Sequence, residues 1–189
     1  MRELLYIPIV HTPEDLGNHL SEARKQYTAR YGESKWEEHI KAVENFWTEI
    51  RNTLLNLPIN YKKAKIYQDS LPVCNQELKI VQALAEDGNR NYKLLLELIQ
   101  KGASIVGTEA SELLLEERER LKNMGVVGST NKYDDLMKRR DEYIACRIDS
   151  TLKDGETGLL FMGALHKVTD KLVDDIKIYK SVKNLKENH

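Results

Sequence analysis

Four short apolar runs recur along the chain, separated by long amphipathic stretches: LLYIPIV (4–10), AKIYQ (64–68), ASIVGTE (103–109) and GLLFM (158–162). Runs this short, bounded by turn residues, suit buried strands, and helical spacing of apolar residues between them suits crossover helices. Parallel neighbours need a long return connection, so the alternation predicts an α/β fold. The expected architecture is one domain over residues 1–182. It has a small, mostly parallel sheet of about four strands and many helices on both faces. Residues 183–189 are expected to fray.

The first connection carries two helical patterns. Thr12-Pro13-Glu14-Asp15 reads as a helix start, with Thr12 as N-cap, followed by Leu16, Leu20, Ala23, Tyr27 and Tyr31 on one face. Gly32 interrupts, and Trp36, Ile40, Val43, Trp47, Ile50 and Leu54 form a second stripe. Further helices are predicted over 75–86, 92–101, 111–124, 134–153 and 169–180, with Gly102 as the C′ residue of the second of these. GVVGSTNK (125–132) reads as a linker, with a mobile lid as its functional alternative. Pro8 cannot donate to a ladder, which predicts that the first strand is an edge or is bulged.

Composition narrows the function. Hydrophobic residues make up 41% of the 189, enough for a real core, while 31% are charged and must coat helix surfaces. The net charge of −1 argues against a nucleic-acid-binding domain or a polybasic membrane patch. Cys74 and Cys146 lie far apart without metal-type spacing, as in a reducing compartment. No apolar run approaches the roughly 18 residues that a spanning helix needs. The expectation is a soluble cytoplasmic protein with a small-molecule or peptide substrate. Tyr31, Trp36 and Trp47 on the paired helices are either core or a homodimer surface.

In open parallel sheets, ligands bind beyond the carboxyl ends of the strands. The polar residues expected there are His11, Asp69, Glu109 and His166. Imidazole and carboxylate are the usual ligand set of a catalytic divalent metal, and also of a general base with its orienting acid. Cys74 as a nucleophile would need a base beside it, and reads more simply as a small hydrophobe.

The pieces "PIVHT", "VGTEASELL", "RRDEYIACRI" and "GLLFMGALH" occur in an order that resembles the TraB/TIKI-like and erythromycin esterase-like proteins. The closest match, the last two pieces, covers about 30 residues. The resemblance implies a hydrolase of esters or peptides, metal-dependent or not, with His11, Glu109 and His166 at active-site positions and Arg140 facing them. The usual glutamate before the first histidine is replaced here by Ile9. In the metal-dependent form His11, Asp69, Glu109 and His166 would hold zinc, manganese or iron, and Arg140 would meet a developing oxyanion. The alternative is a non-catalytic module that binds a small anion in the same pocket.

Overall fold

The computed structural model of the chain describes residues 1–10, 20–123 and 130–180. In chain order the elements are β1 (Arg2–Pro8), α1 (Leu20–Tyr31), α2 (Glu33–Asn56), β2 (Ala64–Gln68), α3 (Glu77–Glu86), α4 (Arg90–Gln100), β3 (Ser104–Val106), α5 (Ser111–Asn123), α6 (Thr130–Thr151), β4 (Thr157–Met162) and β5 (Ile176–Tyr179). Short 3₁₀ turns occupy Tyr61–Lys63 and Val168–Lys171.

The sheet has five strands in the order β3-β2-β4-β1-β5, and every pairing is parallel. The expected α/β class and parallel sheet therefore hold, with one strand more than the sequence suggests. That strand is β5, which falls where residues 169–180 are predicted helical. Val168, Leu172 and Ile176 suit a helical stripe, but Ile176 and Tyr179 are buried around exposed Lys177. Pairing of Arg2–Leu5 with Ile176–Tyr179 satisfies a strand edge that a helix would leave open.

β1 is not at the edge, because it lies between β4 and β5. Pro8 is tolerated there for a local reason. The Ile9 N–H donates to the Met162 carbonyl, so alternation turns the donorless Pro8 nitrogen to the other side. Pairing with β5 has already ended on that side, at Leu5.

Alternation within the strands feeds two cores. Leu5, Ile7, Ile66, Leu159 and Phe161 pack under Val43, Trp47 and Leu54 of α2, Val81 of α3 and Leu94, Leu95 and Leu98 of α4. Leu4, Tyr67, Leu160 and Met162 pack on the opposite face under Ile144, Ile148 and Leu152 of α6. Each such side chain, fully buried, contributes about 1.5–3 kcal/mol. Helix α4 ends in the expected C′ glycine: Gly102 has φ 111°, its N–H reaches the Ile99 carbonyl, and the Ala103 N–H reaches that of Leu98.

The winding reverses once. From β1 through β2 to β3 the chain moves to one side with α2, α3 and α4 on one face; from β3 through β4 to β5 it returns with α6 on the other. The segments leaving the neighbouring strands β2 and β4 therefore diverge to opposite faces. Their carboxyl ends form the topological switch point, the place where α/β sheets commonly bind ligands. Among the described residues no helix is long and apolar enough to cross a membrane.

Candidate functional site

Four polar residues meet at this switch point. Asp69 follows the last residue of β2, Glu109 lies beyond β3, Arg140 comes from α6, and His166 closes the turn after β4. Asp69, Glu109, Arg140 and His166 are thus the expected site residues that the fold brings together. His11, as well as the helix start at Thr12, most of the 125–132 segment and the 183–189 tail, lies outside the described residues.

Backbone geometry sets each group. The Asp69 N–H donates to the Phe161 carbonyl, extending the β2–β4 ladder by one residue. The chain then turns sharply at Ser70, whose φ of 61° is unusual for a residue with a Cβ. Gly107 allows the Glu109 segment to lie against the turn after β2. A Cβ there would come within 2.7 Å of the Val73 Cα and 2.9 Å of the Pro72 carbonyl oxygen. The Thr108 and Glu109 N–H groups both donate to the Leu71 carbonyl, and the Val73 N–H donates to that of Glu109.

Glu109 is completely buried. Arg140 grips it through Nε to Oε2 at 2.6 Å and Nη2 to Oε1 at 2.9 Å, and the Ser70 N–H adds a third bond to Oε1 at 2.8 Å. Arg140 Nη2 also reaches Asp69 Oδ1 at 3.3 Å. Burial lowers the affinity of Arg140 for its proton, but the adjoining Glu109 and Asp69 outweigh it and raise the guanidinium further above its usual range.

His166 is held on both sides. Its Nδ1 lies 2.6 Å from Asp141 Oδ1, and its Nε2 lies 3.5 Å from Asp69 Oδ1. The Lys167 N–H fixes the other Asp141 oxygen at 2.8 Å. Burial works against the imidazolium, yet Asp141 and Asp69 outweigh it and raise its pKa to about 9. At neutral pH the ring is therefore charged, with both nitrogens as donors. Burial alone would raise Asp69. The charged His166, the Gly163 N–H at 3.0 Å and Arg140 instead hold it well below the carboxylate range.

Asp69 is the opening of the cluster, since its side chain is 17% exposed against 5% or less for Arg140, Glu109, Asp141 and His166. Tyr6 borders it: burial, then Asp69 and Asp141, raise its phenol. Behind it, the buried Gln68 donates to the Asp69 carbonyl at 3.2 Å and accepts from Asn91 of α4 at 3.0 Å. Sequence reasoning assigns no role to Asp141, Gln68 or Asn91. Asp141 is adjacent to Arg140 and could be read as a solvated helix acid; burial beside a histidine at a strand end is the signal that it is not.

Asp69, Glu109 and His166 each offer a donor atom within 4.8 Å of the others. The donors do not fit a divalent metal in this arrangement. Both Glu109 oxygens are taken by Arg140, whose guanidinium already supplies the positive charge between the carboxylates. His166 has Nδ1 against Asp141 and Nε2 toward Asp69, so a metal would have to displace the proton that the two carboxylates favour on the ring.

The fold and this site define a doubly wound parallel α/β protein with a buried carboxylate, guanidinium and imidazole network at its switch point. No family model, curated protein or solved structure matches the chain.

Proposed function

We propose that the protein is a small metal-independent hydrolase of esters or peptides, with His166 as its acid–base group and Asp69 as the carboxylate facing substrate. One observation carries this reading: an imidazole fixed at Nδ1 by a buried carboxylate, with Nε2 turned toward the accessible Asp69 at the carboxyl edge of the sheet. A proton-transfer group oriented by a third side chain is the arrangement that acyl transfer requires.

In this mechanism Asp69 orients a water on the substrate carbonyl. The neutral form of His166, whose share grows as pH rises toward 9, takes the water's proton at Nε2 while the water oxygen bonds to the carbonyl carbon. His166 then gives that proton to the departing oxygen or nitrogen as that bond breaks, which restores the ring. Asp141 keeps the ring in place, and Arg140 with Glu109 holds the Asp69 turn.

Charge within the cluster favours a neutral substrate, because Asp69, Glu109 and Asp141 face only Arg140 and His166 as cations. The small-anion alternative has less support: Arg140 Nε and Nη2 are already bonded to carboxylates. The resemblance to TraB/TIKI-like and erythromycin esterase-like proteins favours the same chemistry. A panel of chromogenic esters and peptides tests it. Hydrolysis should survive chelation, disappear in His166→Asn and fall in Asp141→Asn. Activity that persists in His166→Asn, or no turnover of any ester or amide by the wild type, removes this reading.

A further inference from the structure

Helices α2 and α4 run side by side in the same direction. Arg90 bonds Glu44 at 2.8 Å, and seven residues further along both helices Arg51 bonds Glu97 at 2.7 Å. Helix α4 starts at Arg90, beside the carboxyl edge of the sheet, where Asn91 meets Gln68. Residues 33–42 of α2 therefore overhang that edge by about 15 Å at 1.5 Å per residue. No residue from 33 to 42 is buried. Helix α1 lies on this overhang and buries none of its own residues. A helix of 12 residues is marginal without packing.

The two helices share one aromatic seam. The Tyr27 ring stacks on His39 at 5.6 Å and meets Trp36 edge-on at 5.5 Å, with Tyr31 at 4.9 Å. The seam is open at its flanks: Tyr27, Trp36 and Ile40 are half-buried and Tyr31 is 52% exposed. The charges of the two helices differ in sign. Helix α1 carries Arg24, Lys25 and Arg30 against Glu22 alone, whereas the overhang carries Glu33, Glu37 and Glu38 against Lys35 and Lys41; within the chain Arg24 bonds Glu33 and Lys35 bonds Glu38, which leaves Lys25 and Arg30 on α1 and Glu37 and Lys41 on the overhang.

We propose that this α1–α2 hairpin is the interface for a second copy of the chain, the two hairpins pairing about a two-fold axis as an antiparallel four-helix bundle. Two hairpins close a seam that one leaves open. In a ring where helix types alternate, each basic α1 has an acidic α2 on both sides, one from its own chain and one from the partner. A two-fold axis makes both new contacts identical, so the assembly stops at two copies. The proposal does not depend on the hydrolase reading.

Sedimentation velocity on the full chain over a wide concentration range tests this. The wild type should sediment as a dimer of the 21.9 kDa chain. Tyr31→Glu, at an exposed position that leaves the fold intact, should halve the mass. Lys25→Glu/Arg30→Glu and Glu37→Lys/Glu38→Lys should each be monomeric alone and form a heterodimer when mixed. A monomeric wild type overturns the proposal. So does a Tyr31→Glu variant that stays dimeric, and so do charge-reversed variants that fail to associate on mixing while circular dichroism shows both folded.

Discussion

The two faces of the sheet carry the same kind of ion pair in opposite surroundings. On the α2–α4 face, Arg51 grips Glu97 through two bonds of 2.7 Å, with half the Arg51 side chain in solvent. On the α6 face, Arg140 grips Glu109 with nearly the same fork, and both are buried. The exposed pair is screened by water and gives up side-chain entropy to form, so it adds little stability. The buried pair has lost its hydration and is held only by complete hydrogen bonding. Identical bonds thus read as surface decoration on one face and as a constraint on the other. The buried one stands beside the carboxyl edge, where it costs most to maintain and where chemistry would use it.

Breaking the buried fork should have the largest effect. Arg140→Ala leaves the Glu109 carboxyl in the interior without its cation, and urea unfolding should show a loss of about 3–5 kcal/mol. The double variant Arg140→Met/Glu109→Leu removes both charges, and should recover most of that loss while altering the environment of Asp69. Recovery would show that the pair is not needed for stability itself.

Next in size is the pH response of His166. Its pKa in the folded protein, about 9, exceeds the ordinary value of 6.5, so the stabilisation is complete below the ordinary value and is lost as pH rises through 9. That contribution is on the order of 3 kcal/mol. Unfolding free energy should therefore decline across pH 7 to 10, and His166→Asn should flatten the decline. Asp69 works in the opposite sense: its folded value is lowered, so its contribution is present above the ordinary carboxylate value and disappears in acid. An NMR titration placing the His166 ring near the ordinary value would break the contrast between the faces.

The smallest effect is expected on the exposed side. Arg51→Ala should cost little and the loss should shrink in high salt, whereas the Arg140→Ala loss should hardly depend on salt. A salt-insensitive cost for Arg51 would mean that its aliphatic stem packing over α4, rather than its charge, is what counts.

Local pattern determined much of this protein. The four apolar runs became β1 to β4, the stripe from Trp36 to Leu54 became α2, and Gly102 ended α4, because each depends on neighbours in the chain. The rule that polar residues gather at carboxyl ends of parallel strands brought Asp69, Glu109 and His166 together, and Arg140 joined them by resemblance. Only the tertiary structure decided the rest. Residues 176–179 are a strand because β1 offered an unpaired edge, which no short-range pattern reveals. Pro8 lies inside the sheet because β5 stops short of it. Asp141 is a buried partner of His166, and Arg140 takes both Glu109 oxygens, because burial and hydrogen-bond saturation arise from packing between α6 and two strand ends distant in sequence.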